Sequence, residues 1–405
     1  MRVEVINTGT EILLGNVVNS HLAFFAKELF PIGLRIERQV TVPDGTAIRD
    51  ALSEALERAE VIFVTGGLGP TTDDVTREIS AELLDLPMHE SAEVLQAIAE
   101  RFARRGIVMT ERVKRQAQVP VGATVLANAC GTAPGLYLKT DALHLFLLPG
   151  PPRELKPMFR ESVLPILKTI APQKPTFACR SFRVVGIGES NVEALVGEEI
   201  LAIEGIELGY CARPGEVDVR CIGTPEMLDR AERIVLSKLG DQIAALDESS
   251  LEETVVRELT ARGKKLAVAE SCTGGFVAHR ITNVPGASAV FLAGFVTYAD
   301  EAKTRELGVP ADLIAQHGAV SAEVARAMAA GAMEKSDAHF ALSTTGIAGP
   351  DGGTEAKPVG TVFIALASRG NDVQVQQHKF PTDRENFKWL ASQAALDLLR
   401  RSIAW

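Results

Sequence analysis

The reactive side chains of this chain sit beside glycines. Thr65-Gly-Gly-Leu-Gly-Pro-Thr-Thr-Asp-Asp74 puts Gly66, Gly67 and Gly69 ahead of two acids. Glycines let backbone N–H groups approach a ligand closely, and a helix start just beyond favours an anion. Asp73 and Asp74 could hold a divalent ion that bridges phosphates. They could equally cap that helix and suit its dipole. Gly9-Thr10-Glu11 and Pro149-Gly-Pro-Pro-Arg-Glu154 repeat the combination of small residues with an acid. Glu154 also fits as an ordinary first-turn acid. None of these segments is a Walker A motif or a G-x-G-x-x-G fingerprint, so ATPase and dinucleotide-fold readings gain no support.

A second group lies in the last third. In Ala269-Glu-Ser-Cys-Thr-Gly-Gly275 small polar residues separate a strand-like run from a helical one. Backbone N–H groups near Gly274 and Gly275 could bind a phosphate or an oxyanion. Ser271, Cys272 or Thr273 could be a nucleophile or touch substrate; N-capping and a small buried thiol are the plainer readings. Ser288 precedes Thr297-Tyr298 and Lys303, and a serine with a nearby lysine is an activated-nucleophile arrangement. Tyr298 could relay the proton. Thr344-Thr-Gly-Ile-Ala-Gly-Pro-Asp-Gly-Gly353 adds Thr345 and Gly346 on another glycine-rich loop. Arg384 could clamp a phosphate or carboxylate. The seven histidines show no metal-ligand spacing and read as ordinary, partly buried side chains.

Strands and helices must position these groups. Val3, Val5 and Ile6 open a short strand; 21–29 has helical spacing. Val61-Ile-Phe-Val64 and Leu143–Leu148 are continuous apolar runs, as in strands buried on both faces. Asp74–Leu84 is helical. Strand alternating with helix predicts a parallel sheet, with ligands at the C-terminal strand ends. Ala171-Pro-Gln-Lys-Pro175 reads as a linker. Beyond it, Glu216–Ile222 alternates polar and apolar, a strand with one wet face, and Pro225–Leu239 is helical, which predicts a small α+β module. Ser250 with Glu253 fits a capping box opening a helix through Leu259. Strands at 265–269, 340–343 and 361–367 then alternate with helices at 273–281, 321–334 and 384–400. Ser288–Val296 is apolar. This predicts three domains, 1–170, 171–248 and 249–405.

Composition narrows the function. The 405 residues carry 42 basic and 52 acidic side chains, net −10. That disfavours a basic nucleic-acid face, and with 5% aromatic residues stacking platforms for single strands are not expected. The five cysteines are scattered and form no CxxC, so neither a disulfide framework nor a zinc site is expected. No apolar run approaches the ~20 residues that cross a bilayer. The expectation is a cytoplasmic protein acting on small molecules.

The strings GTEILLG (9–15), TGGLGPTTDD (65–74), NACGTAPG (128–135), LPGPPRE (148–154), AESCTGG (269–275), VPGASAVFLAGFVTYADEAK (284–303), HGAVS (317–321), TGIAGPDGG (345–353) and KPVGTV (357–362) resemble the CinA family of competence/damage-inducible proteins over essentially the whole chain. The resemblance implies an N-terminal molybdopterin-binding-like α/β domain with a parallel or mixed sheet. To it is attached ADP-ribose pyrophosphatase activity, dependent on a divalent ion (magnesium, manganese or cobalt) and helped by potassium. It implies a small KH-like α+β middle domain, and a C-terminal α/β nicotinamide mononucleotide deamidase without a cofactor. No Nudix-type acid cluster is present, so pyrophosphate cleavage would rest on Asp73 and Asp74. For the deamidase, Lys303 is expected as base with Tyr298 assisting and Ser288 as nucleophile, Ser271 being the competing serine. Thr273, Thr345 and Arg384 would hold substrate. A homodimer is implied, with neither nucleic acid nor membrane as direct partner. The rival readings are a nucleotide- or pterin-binding module with only the deamidase active, and a competence adaptor contacting a recombination protein.

Overall fold

Short apolar strands dominate the first part of the chain. In the computed structural model, which describes residues 1–171, 177–247 and 249–403, these are β1 (Arg2–Thr8), β2 (Arg35–Val42), β3 (Val61–Thr65), β4 (Met88–Glu90), β5 (Gln118–Pro120), β6 (Thr124–Leu126), β7 (Gly135–Lys139) and β8 (His144–Leu148). Six of them form one sheet in the order β2-β1-β3-β8-β7-β6, and β4 pairs with β5 apart from it. The first four strands are parallel; β7 and β6 run antiparallel. Every residue of β3 is buried, because helices cover both faces of a parallel sheet. Val61 and Phe63 enter one core with Phe25 and Phe159; Ile62 and Val64 enter the other with Leu52 and Ile79. The parallel register sets Asn7 beside Thr65 and Thr65 beside Leu148. Three strand ends therefore share one edge.

The chain divides into two compact units, Met1–Thr176 and Phe177–Trp405. Apart from Ala171, the linker expected at 171–175 lies outside the described residues. The second unit begins with β9 (Ala178–Val185), β10 (Glu207–Arg213), β11 (Glu216–Gly223) and β12 (Ile243–Ala245). They form an antiparallel sheet ordered β10-β11-β9-β12. With the helices Glu189–Leu201 and Pro225–Leu239, this is a βαββαβ module of α+β class with a split βαβ order.

Ser250 and Glu253 complete a capping box ahead of the helix Leu251–Ala261 and a third sheet. Its strands are β13 (Leu266–Glu270), β14 (Phe291–Val296), β15 (Phe340–Gly346), β16 (Thr361–Ser368) and β17 (Gln374–Lys379), ordered β14-β13-β15-β16-β17. β14, β13 and β15 are parallel, with Val296, Glu270 and Thr344 level at their C-terminal ends. The final helix, Arg384–Ile403, packs Phe387, Ala391, Leu396 and Leu399 into the core beside this sheet. It also meets the middle module, where Trp389 Nε1 donates to Pro214 O at 2.8 Å and Gln393 Nε2 to Glu216 Oε2 at 3.1 Å. Among the described residues no helix is long and apolar enough to cross a membrane.

Candidate functional site

In the first unit the loops leaving β1, β3 and β8 enclose a cleft of about 570 Å³. Gly66 and Gly67 turn the chain out of β3 at φ +97° and +66°, values that side-chain-bearing residues avoid. A Cβ on Gly66 would overlap Thr8 Oγ1, and one on Gly67 would overlap Thr76 Oγ1. Gly66 N donates to Leu148 O at 2.9 Å and so ties two of the loops together. Asp74 Oδ2 accepts Thr71 N at 2.9 Å and the Thr71 hydroxyl, and Gly69 leaves room for it. Glu154 Oε2 accepts Asn128 Nδ2 at 2.9 Å.

Glu11, Gly66, Gly67, Gly69, Asp74 and Glu154 line this cleft; Gly9, Thr10 and Asp73 do not figure among the lining residues. Thr10 instead braces its loop, its N–H donating to Asp44 Oδ2 at 2.9 Å. Asp73 is exposed, and hydrogen bonding to Thr71 and its own backbone N–H holds its carboxyl below the usual range. Of the expected aspartate pair, Asp74 is half-buried on the cleft wall and Asp73 is exposed.

Among the described residues no three His, Cys, Asp or Glu side chains are grouped to ligate one ion, so a resident all-protein metal cage does not fit. A hard cation shared with substrate phosphates needs only one or two carboxylates. The donor set fits that arrangement, with Asp74 and Glu154 on the wall of the cleft.

Sequence reasoning missed His21. It is 6% exposed and lines the cleft. Its Nδ1 lies 3.2 Å from Asn7 Nδ2 and 3.1 Å from Thr65 Oγ1. Burial pushes its pKa down, against a backbone hydrogen bond at Gly150 that pushes it up. A neutral ring thus joins the ends of β1 and β3 to the loop after β8. Its only sequence signal was a position just beyond the first glycine-rich loop.

In the second unit the chemistry gathers at the ends of β13, β14 and β15. Glu270 is 1% exposed. Its carboxylate accepts Thr273 Oγ1 at 2.6 Å and the N–H groups of Gly275, Val277 and Ala278 at 2.9, 3.1 and 2.8 Å. Thr273 Oγ1 also lies 2.7 Å from Thr344 Oγ1. Gly274 N donates to Ser271 O at 3.1 Å. The glycine N–H groups expected to face a ligand are therefore spent inside the turn, which makes the loop a self-held scaffold. Cys272 is buried, and desolvation drives its thiol up to about 12, so it stays protonated and is no nucleophile.

Lys303 is 1% exposed and places Nζ 3.1 Å from Tyr298 O and 3.2 Å from Asp300 Oδ1. It meets the tyrosine's carbonyl, not its ring hydroxyl. That hydroxyl accepts Arg384 Nη2 at 2.8 Å, while Arg384 Nη1 holds Gly349 O at 2.9 Å. Thr345 turns its hydroxyl to Ala319 O at 2.7 Å. Side chains alternate along a strand, so Thr344, its neighbour, faces the Glu270 network in its place. A Cβ on Gly346 would press on Thr361 O at 2.7 Å, which gives that glycine a packing reason.

Ser288 requires a correction. It lies in the turn Ala287–Ala289, just before β14, whereas Tyr298 and Lys303 follow that strand. Six strand residues at about 3.3 Å each set the two ends roughly 20 Å apart, so within one chain Ser288 cannot meet Lys303. Ser271 is at the correct end, its N–H donating to Thr344 O at 2.9 Å.

Two further residues were missed. Glu270 was hidden as the last residue of an apolar strand. Lys388 follows Arg384 by one helical turn, which puts both on one face. Its Nζ lies 5.7 Å from the Phe276 ring centre and 3.9 Å from where a Cβ on Gly274 would stand.

Polar residues gathered at strand ends of two mixed sheets define an α/β protein with a cleft in its first unit and a strand-end cluster in its second. Residues 4–169 match the family model "Probable molybdopterin binding domain", and residues 248–403 match "CinA C-terminal domain". A "CinA-like protein" of Akkermansia muciniphila is 49% identical over 398 residues, 98% of this chain and 96% of the relative. A "Putative competence-damage inducible protein" of Caldicellulosiruptor saccharolyticus is 43% identical over 412 residues, 100% and 99% of the two chains. A crystal structure of a CinA superfamily protein from Klebsiella pneumoniae is 37% identical, covering 38% of this chain and 97% of its own, with TM-score 0.37. The chain belongs to the CinA family.

Proposed function

We propose that this chain is a bifunctional hydrolase of pyridine-nucleotide recycling. In this reading residues 249–405 deamidate nicotinamide mononucleotide to nicotinate mononucleotide and ammonia, and residues 1–170 cleave the pyrophosphate of ADP-ribose. The observation that carries the deamidase reading is the convergence, at one set of strand ends, of buried Lys303 with Tyr298, Arg384 and Lys388. Arg384 and Lys388 suit the substrate phosphate. Ser271 Oγ attacks the carboxamide carbon, and Lys303 takes its proton and returns it to the departing ammonia. Water then cleaves the ester and frees the acid. The Glu270–Thr273–Thr344 network keeps the loop carrying Ser271 in place.

In the cleft of the first unit, Asp74 and Glu154 would share a divalent ion with the substrate's phosphates; when bound, that ion neutralises charge and acidifies water. The glycine turn would orient the pyrophosphate, and Glu11 would accept a hydrogen bond from a substrate hydroxyl. Incubation with each substrate tests both halves. Ammonia from nicotinamide mononucleotide, and AMP with ribose 5-phosphate from ADP-ribose, support the proposal. No turnover of either substrate refutes it.

A further inference from the structure

Among the described residues ten buried side-chain polar atoms lack a hydrogen-bond partner, and six of them belong to Thr8, Arg77, Glu78, Arg101 and Gln116. Native proteins leave few such atoms unpaired, and each calls for a cause. Thr8, Arg101 and Gln116 all line the cleft of the first unit. Gln116 is only 2% exposed, so a group that reaches its amide must come through the cleft.

The unpaired atoms define what that group is. Gln116 Oε1 needs a donor, Arg101 Nε needs an acceptor, and the Thr8 hydroxyl can take either. Arg101 is held in place from its other side, where Nη1 donates to Ala129 O at 3.0 Å. Arg105 lines the same cleft one helical turn further on and adds a second cation. Inorganic phosphate offers the arginines anionic acceptors but keeps at most one or two acidic protons to donate to the Gln116 carbonyl. A free sugar offers hydroxyl donors but no anion to pair with the arginines. A phosphorylated sugar offers hydroxyl donors and anionic acceptors in one molecule.

We infer that Gln116 is a specificity-determining residue, accepting a hydrogen bond from a hydroxyl of a ribose phosphate whose phosphate lies against Arg101 and the glycine turn. The inference rests on reading the cleft as a nucleotide site, and it names the part of the nucleotide being recognised.

Calorimetric titration of the full chain with ribose 5-phosphate and with inorganic phosphate tests it. The wild type is expected to bind ribose 5-phosphate at least ~10-fold more tightly than phosphate, and Gln116→Leu to remove most of that preference while phosphate affinity changes less than ~2-fold. Gln116→Met, which keeps the side-chain length, is measured beside it, and each variant must melt as the wild type does. Equal affinities in the wild type overturn the inference, and this arm needs no variant. A preference that survives in both variants overturns it as well. Failure of the pyrophosphatase reading is separate: ribose 5-phosphate would bind, with its Gln116 dependence, while ADP-ribose stays intact.

Discussion

The two sites use one architectural device to different ends. Both lie where parallel strands stop and glycine-rich loops begin, yet their polar groups are organised in opposite ways. The cleft of the first unit is roomy, lined by the carboxylates of Glu11, Asp44, Asp74 and Glu154 and the cations of Arg101, Arg105 and Arg153, with several buried polar atoms unpaired. The strand-end cluster of the second unit is largely paired, although the buried Thr297 hydroxyl lacks a partner. Glu270, Thr273 and Thr344 bond one another, and Gly274 and Gly275 spend their N–H groups on their own loop. A site with unpaired groups waits for a ligand that brings its own charge. A largely paired site offers a rigid frame from which a few side chains work. This contrast fits a pyrophosphate on one side and an uncharged carboxamide on the other.

The strongest way to break the comparison is to remove the buried lysine proposed as the base of the second site. Lys303→Met should lower ammonia release by about 10²–10⁴-fold and leave ADP-ribose cleavage within ~2-fold, as read by parallel product assays. Ser271→Ala should follow it, whereas Ser288→Ala should retain deamidase activity. A dead Ser288→Ala enzyme would mean that the second site is completed from elsewhere.

The next effect concerns rigidity. Glu270→Gln replaces a buried acceptor of four hydrogen bonds with an amide that cannot accept them all, and should destabilise the second unit by about 2–3 kcal/mol, measured by urea unfolding. Gly67→Ala forces a left-handed residue against Thr76 and should cost the first unit about 1–3 kcal/mol. If the two substitutions cost the same and neither affects turnover, the contrast between frame and cleft fails.

The smallest effect separates the sites by pH. The pKa of His21 is pushed down from the ordinary 6.5 by burial, so folding favours its neutral ring. The associated stability is complete above that value and is lost as pH falls below it, toward the lower pKa of the folded state. The first unit should therefore lose stability and ADP-ribose cleavage on acidification below about 6.5, and His21→Gln should flatten that profile.

The legible features share a local cause. Val61–Thr65 was readable because both faces are buried, and the helix at 251 because its capping box is contained in four residues. The glycine loops were readable because close approach demands glycine at Gly66 and Gly67. What failed depended on partners distant in sequence. Ser288 and Lys303 are fifteen positions apart, but a strand lies between them and carries the chain across the sheet. Thr345 was preferred to Thr344 although a period of two sends them to opposite faces. β2, at the sheet edge, reads Arg-Ile-Glu-Arg-Gln-Val-Thr-Val and is mostly half-buried or exposed, so its composition did not announce a strand. Lys388 became a site residue only once the last helix was laid beside the Gly274 loop.

The proposal of two independent sites for two hydrolyses is tested most directly by assaying Lys303→Met and Asp74→Asn, each against both substrates, with ammonia and AMP as readouts. Lys303→Met is expected to lose only ammonia release, and Asp74→Asn only metal-dependent AMP formation. A variant that abolishes both reactions, or an Asp74→Asn enzyme with full metal-dependent turnover of ADP-ribose, would contradict it.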